Sequence, residues 1–221
     1  VPSLERRIAS FKALSGRLGA DRVVWRFDPL LITSRTPPEL LLDKVVRLGR
    51  ELQGYTRKLV FSFADIDRYV KVGRNLKKAG VEAREFTAGE RASFAAGLAA
   101  AGLKMELGVC AEEDDLTGYG IQPARCLDGD LLRRLYPKDA ALMSFLGPPA
   151  EADWFGGAGK ASKKARLKDR GQRRECHCMM AKDIGHYTTC PHGCVYCYAN
   201  ASPEQAVRQF ARCRADSPAL L

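Results

Sequence analysis

Eight cysteines are spread unevenly along the chain, and five of them, Cys176, Cys178, Cys190, Cys194 and Cys197, crowd into one short segment. The last three read Cys-Pro-His-Gly-Cys-Val-Tyr-Cys, a C-x3-C-x2-C spacing from Cys190 to Cys197 with Tyr196 just ahead of the final thiol. Thiolates this close in one loop can converge on a single ion or cluster. Three of them can hold three irons of a 4Fe-4S cube and leave the fourth without a protein ligand, and an iron left open is a reaction site. Zinc is the competing reading: the five cysteines with His177 and His192 could supply four tetrahedral ligands of a closed structural site. Zinc knots more often pair two C-x2-C hooks, and one such hook is present here, which favours iron. A secreted disulfide scaffold would spread its cysteines and carry a signal peptide; these cysteines are clustered, and the opening VPSLERRIASF has no charged-then-apolar signal pattern.

The elements that must position this chemistry alternate in period. Residues 4–19 repeat apolar positions at helical spacing and end on Gly19. Residues 22–31 (RVVWRFDPLL) read as a strand ending in Asp28-Pro29, and Pro37 and Pro38 open an amphipathic helix to about Gln53. Lys58–Phe63 (KLVFSF) is a second strand, followed by a polar, helical or irregular stretch to Gly80; a helix from Glu90 to Ala101 leads into a third strand, Lys104–Cys110. Strand, polar loop and helix in repetition predict a parallel sheet with crossover helices, whose ligands gather at the carboxyl ends of the strands. The chain is too short for a closed eight-stranded barrel of about 200–250 residues with a cysteine segment to spare. The expected fold is therefore α/β, a partial (β/α) barrel over residues 1–147, a Gly/basic linker or arm over 148–174, and a cysteine-rich segment with a terminal helix over 175–221. With no initiator Met at its start, the chain is expected to be a fragment.

The net charge is +10, and Lys160 to Arg174 alone holds eight basic residues and one acid. Such an arm suits a phosphate-bearing partner or a solvated connector; no aromatic residue interrupts it to stack a base. The longest apolar run, Phe94 to Leu103, is well short of the roughly 18 residues of a membrane span. The expected setting is cytoplasmic, away from membranes.

The C-x3-C-x2-C loop with Tyr196 resembles the radical S-adenosylmethionine signature. More closely, QRRECHCMMAKDIGHYTTCPHGCVYCYAN (residues 172–200) resembles the C-terminal signature of an uncharacterised bacterial and archaeal family, domain of unknown function 1848, noted for a cysteine cluster of that type. The likeness extends upstream through Trp25-Arg26-Phe27-Asp28-Pro29, Ser62-Phe63 with Asp65, Tyr69 and Lys71, Cys110-Ala111-Glu112, and Cys126. It implies that Cys190, Cys194 and Cys197 hold a 4Fe-4S cluster whose open iron chelates S-adenosylmethionine. A reductant such as ferredoxin or flavodoxin would then drive cleavage of that cofactor to methionine and a 5′-deoxyadenosyl radical that abstracts hydrogen from a substrate. This chain has Ala181 where the family tends to have Ser, and His177 where a small residue is commoner. The family is also expected to carry further residues ahead of this start.

The remaining candidates sit at strand ends and around the loop. Arg26 and Asp28 could hold a carboxylate or ribose, or pair with each other. Glu112 follows Cys110 at the end of the third strand; Cys110 and Cys126 belong to the family pattern and either join a site or pack. Cys176 and Cys178 could ligate a second cluster or structural ion, or close the first. Asp183, with Tyr196, is a candidate cofactor contact, though Asp183 could equally order the loop. The function expected first is that of a radical S-adenosylmethionine-type enzyme of unknown substrate. The other reading is a non-enzymatic zinc or iron-sulfur module whose basic arm contacts nucleic acid.

Overall fold

The computed structural model describes residues 1–147, 172–181, 185–214 and 216–217. Its elements run α1 (Leu4–Leu18), β1 (Trp25–Leu30), β2 (Ile32–Thr33), α2 (Pro38–Leu52), β3 (Lys58–Phe63), α3 (Val70–Lys78), β4 (Ala83–Arg84), α4 (Ala88–Ala100), β5 (Glu106–Val109), β6 (Ile121–Pro123), α5 (Gly129–Leu135), α6 (Ala140–Leu146) and α7 (Pro203–Phe210). Most of the basic arm and the expected linker, along with Asp183, lie outside the described residues.

Four strands form one sheet in the order β1-β3-β5-β6, all parallel. β3 is interior and buried from Leu59 to Phe63, which is why its sequence is a nearly unbroken apolar run. A barrel would join the first and last strands; among the described residues β1 and β6 are the two edges of an open sheet. A separate two-stranded antiparallel ribbon pairs β2 with β4.

Side chains alternate across the sheet, and the two faces do different work. Trp25, Leu59, Phe61, Phe63, Val109 and Ile121 join Leu41, Val45 and Leu52 of α2 and Phe94, Ala95 and Leu98 of α4 in one core. Its centre is aromatic: Phe63 lies 4.8 Å from Phe86 and 6.0 Å from Phe94, ring centre to ring centre, and Phe61 lies 5.8 Å from Phe94. α4 is started by a reciprocal capping box between Thr87 and Glu90. The register Arg26↔Val60↔Gly108↔Gln122 marks the opposite face, where the buried Val60 lies beside polar and small residues.

Three local features shape the carboxyl edge of that second face. The β1–β3 register slips between Phe27 and Leu30, so that Asp28 and Pro29, joined by a cis peptide, stand in a bulge. At Gly108, a Cβ would come within 3.0 Å of the Ala124 Cβ, so the glycine lets the chain after β6 lie close against β5. The Ala124 N–H then continues the ladder to the Val109 carbonyl at 2.7 Å. Finally, Ala111 adopts a left-handed conformation at φ 54°, turning the chain sharply after Cys110.

Candidate functional site

These features bring four strand ends together. Arg26 on β1 reaches across with both nitrogens of its fork: Nη2 pairs with Asp28, and Nη1 lies 2.6 Å from the Sγ of Cys126. The Ser62 hydroxyl, at the end of β3, donates to the other oxygen of Asp28. Cys110 follows β5, its N–H held by the Phe61 carbonyl at 2.8 Å, and its Sγ is 3.5 Å from that of Cys126. The Cys126 N–H donates to the Sγ of the buried Cys178 at 3.0 Å. Cys178 thus belongs with the strand-end thiols, tying the cysteine-rich segment to the sheet.

The two facing thiols titrate unlike each other. The hydrogen bond from Cys110 holds the Cys126 thiol down to about 5, with the Arg26 contact adding to it against the opposing effect of burial. The same contact with Cys126, followed by burial, pushes the Cys110 thiol up. Cys126, beside Arg26, is therefore the more acidic thiol of the pair. Burial also pushes the Cys178 thiol up to about 11. Glu112, two residues beyond Cys110, accepts from the Phe63 N–H through its Oε1 at 2.9 Å; burial, then the nearby Asp65, raise its carboxyl to about 7 against the pull of that hydrogen bond.

The loop of residues 190–197 is folded by its own backbone and anchored by α3. Gly193, at φ 64°, supplies the left-handed turn between Cys190 and Cys194, and the Cys197 N–H closes back on the Cys194 carbonyl at 3.0 Å. Asn200 Nδ2 donates to the Cys190 carbonyl at 2.7 Å. From α3, Asn75 Nδ2 donates to the Cys197 carbonyl at 2.9 Å and Lys71 Nζ to the Tyr198 carbonyl at 3.0 Å. Tyr198 stacks on Tyr69, ring centres 5.9 Å apart, and Arg173 lies over Tyr69 at 5.3 Å while pairing with Asp65 at 2.6 Å.

Loop and strand ends share one cavity of about 410 Å³, with Arg26, Asp28, Cys110, Cys176, Tyr196 and Tyr198 among its walls. Tyr196 is the link between the two: burial raises its phenol, and the charges of Cys194, Asp28 and Cys197 act on it in the same direction. Of the residues singled out by sequence, Arg26, Asp28, Cys110, Cys176 and Tyr196 meet at this cavity, with Cys126 and Cys178 in contact with that group. Cys190 is exposed. Ser62, Asp65, Tyr69, Arg173 and Tyr198 fall within the stretches that carry the family likeness but have no role that spacing assigns, and Asn75 carries no sequence signal.

All eight thiols are free, and none of the three loop cysteines is committed to a disulfide. Three soft thiols with no carboxylate between them are a donor set that fits an iron-sulfur group. Among the described residues no three His, Cys, Asp or Glu side chains close on a common point, so the loop holds its donors in sequence order, not as a finished cage.

An open parallel α/β sheet whose carboxyl edge carries a thiol-rich pocket defines the class of this protein. A family model described as domain of unknown function (DUF1848) matches residues 1–199, and the chain belongs to that family. No curated protein and no solved structure matches it. Among the described residues no helix is long and apolar enough to cross a membrane.

Proposed function

We propose that this chain is an iron-sulfur protein of radical S-adenosylmethionine type, with Cys190, Cys194 and Cys197 as the ligands of a 4Fe-4S cluster and the strand-end cavity as its substrate site. The observation that carries this reading is Tyr196. It lies inside the three-cysteine loop and lines the same cavity as Arg26, Asp28 and Cys110, so chemistry at the loop and a substrate at the strand ends would meet. The fold suits it as an arc of a (β/α) barrel, whose ligands collect at strand ends.

When bound, the cluster supplies the electron that cleaves S-adenosylmethionine reductively, drawn from a low-potential donor such as ferredoxin or flavodoxin. The chain's own residues have positioning work. Asn75 and Lys71 fix the loop's carbonyls against α3, setting where Tyr196 and the last thiol point. The stack of Tyr69 on Tyr198, with Arg173 over Tyr69, forms one part of the cavity's wall. Arg26, Asp28 and Ser62 present a charged, hydrogen-bonded edge to whatever polar group a substrate carries. A cytoplasmic, oxygen-protected setting suits such a cluster.

The test is Cys194→Ala in anaerobically reconstituted protein supplied with reductant and S-adenosylmethionine. Cleavage of the cofactor should fall to background with the circular dichroism spectrum unchanged. Cleavage at the wild-type rate would remove Cys194 from the ligand set and, with it, this reading of the loop.

A further inference from the structure

A second pair of thiols, outside the three-cysteine loop, borders the same cavity. We propose that Cys110 and Cys126 form a redox-active dithiol that exchanges with small-molecule disulfides, Cys126 as the attacking thiol and Cys110 as the resolving one.

The geometry carries this. The two sulfurs are in contact at 3.5 Å, so closing to a bond of about 2.05 Å asks for about 1.5 Å of side-chain movement. Both backbones are pinned on either side of that gap, Cys110 by the Phe61 carbonyl and Cys126 by Cys178. The pair is also open to a reagent: Cys126 is exposed, Cys110 half-buried, and Cys110 forms part of the wall of the cavity. Arg26 supplies a fixed positive charge 2.6 Å from the Cys126 sulfur, where an attacking anion is needed, and its other arm is held by Asp28. A pair of packing cysteines would need no cation, no access and no cavity.

The exchange balances without any other reagent. The Cys126 sulfur attacks one sulfur of the external disulfide, forming a mixed disulfide and expelling the first small thiolate. Cys110 then attacks the Cys126 sulfur, forming the internal disulfide and expelling the second. The two cysteines lose two electrons and two protons, and the external disulfide gains them as two small thiols.

The experiment exposes the full, fully reduced chain to oxidised glutathione without oxygen, quenches with an alkylating agent and maps every cysteine by mass spectrometry. The readout is independent of iron, so it stands or falls separately from the loop's proposed cluster. The expected product is a Cys110–Cys126 linkage formed ahead of any other, and in Cys110→Ser a glutathione adduct that stops on Cys126. In Cys126→Ser, modification of Cys110 should slow at least tenfold. A Cys126–Cys178 linkage in place of Cys110–Cys126, or both cysteines left reduced while the loop cysteines oxidise, would overturn the proposal. If a serine variant loses its folded circular dichroism spectrum, the wild-type map alone decides between these outcomes.

Discussion

Arg26 and Cys126 are 100 positions apart in the chain, yet a guanidinium nitrogen of the first lies 2.6 Å from the sulfur of the second. The contact spans the sheet from its first strand to the segment after its last. It exists because β1 ends in a bulge and because Gly108 lets the chain after β6 approach β5.

The thiolate character of Cys126 is measurable by alkylation. With its thiol held at about 5 by Cys110 and then Arg26, Cys126 should label with iodoacetamide at a rate that rises through pH 5 and is level above pH 7. Arg26→Gln should move that midpoint upward and lower labelling at pH 6 by about tenfold. A wild-type midpoint near the ordinary thiol value of about 8.5 would contradict the arrangement.

Glu112 sets a pH dependence of opposite sign to that of a salt-bridged carboxylate. Its folded value, about 7, lies above its ordinary one, so folding favours the protonated form: this contribution is fully present at acid pH and is lost as pH rises toward 7. Glu112→Gln keeps an acceptor for the Phe63 N–H and removes the buried charge. It should stabilise the fold by about 2 kcal/mol at pH 8 and by almost nothing at pH 4, read from urea unfolding. Equal differences at both pH values would show that burial of the charge is not the cause.

Asn75 holds the cysteine loop through one hydrogen bond to the Cys197 carbonyl. Asn75→Ala should weaken the loop by about 1 kcal/mol. Hydrogen exchange would show this as faster exchange of amides 194–198, with protection of β3 unchanged.

Phe61 is fully buried at the centre of the aromatic core. Phe61→Ala should destabilise the fold by about 3–5 kcal/mol, the range for emptying a large buried site. A loss under 1 kcal/mol in chemical unfolding would mean the core is not packed around β3.

The strands are legible in the sequence where composition and burial coincide. KLVFSF reads as a strand from its apolar run and is β3 with the same ends, because an interior parallel strand has no solvent face to encode. The third strand, expected over Lys104–Cys110, is shorter, Glu106–Val109. β6 leaves no sequence signal because three residues are too few to show a period, and it carries Pro123. The seven-residue α6 and the β2–β4 ribbon are equally silent, the latter being two residues on each side.

In the site, the cysteine spacing and Tyr196 are visible because one loop holds them all. The contact of Arg173 with Tyr69 is not, since the two lie 104 positions apart and only the folded chain brings them together. Asn75 gives no signal either: a polar residue on a short amphipathic helix looks like any solvated one. Cys176 and Cys178 stand out in the sequence by their spacing; in the fold the first lines the cavity and the second is buried against Cys126.

The most direct test of the central claim, that the loop holds an open-iron cluster facing the strand-end cavity, is electron paramagnetic resonance of the anaerobically purified, reduced protein with and without S-adenosylmethionine, alongside iron and zinc analysis. The account predicts about four irons per chain and a spectrum that changes when the cofactor is added. Stoichiometric zinc without iron, or a cluster spectrum indifferent to S-adenosylmethionine, would contradict it.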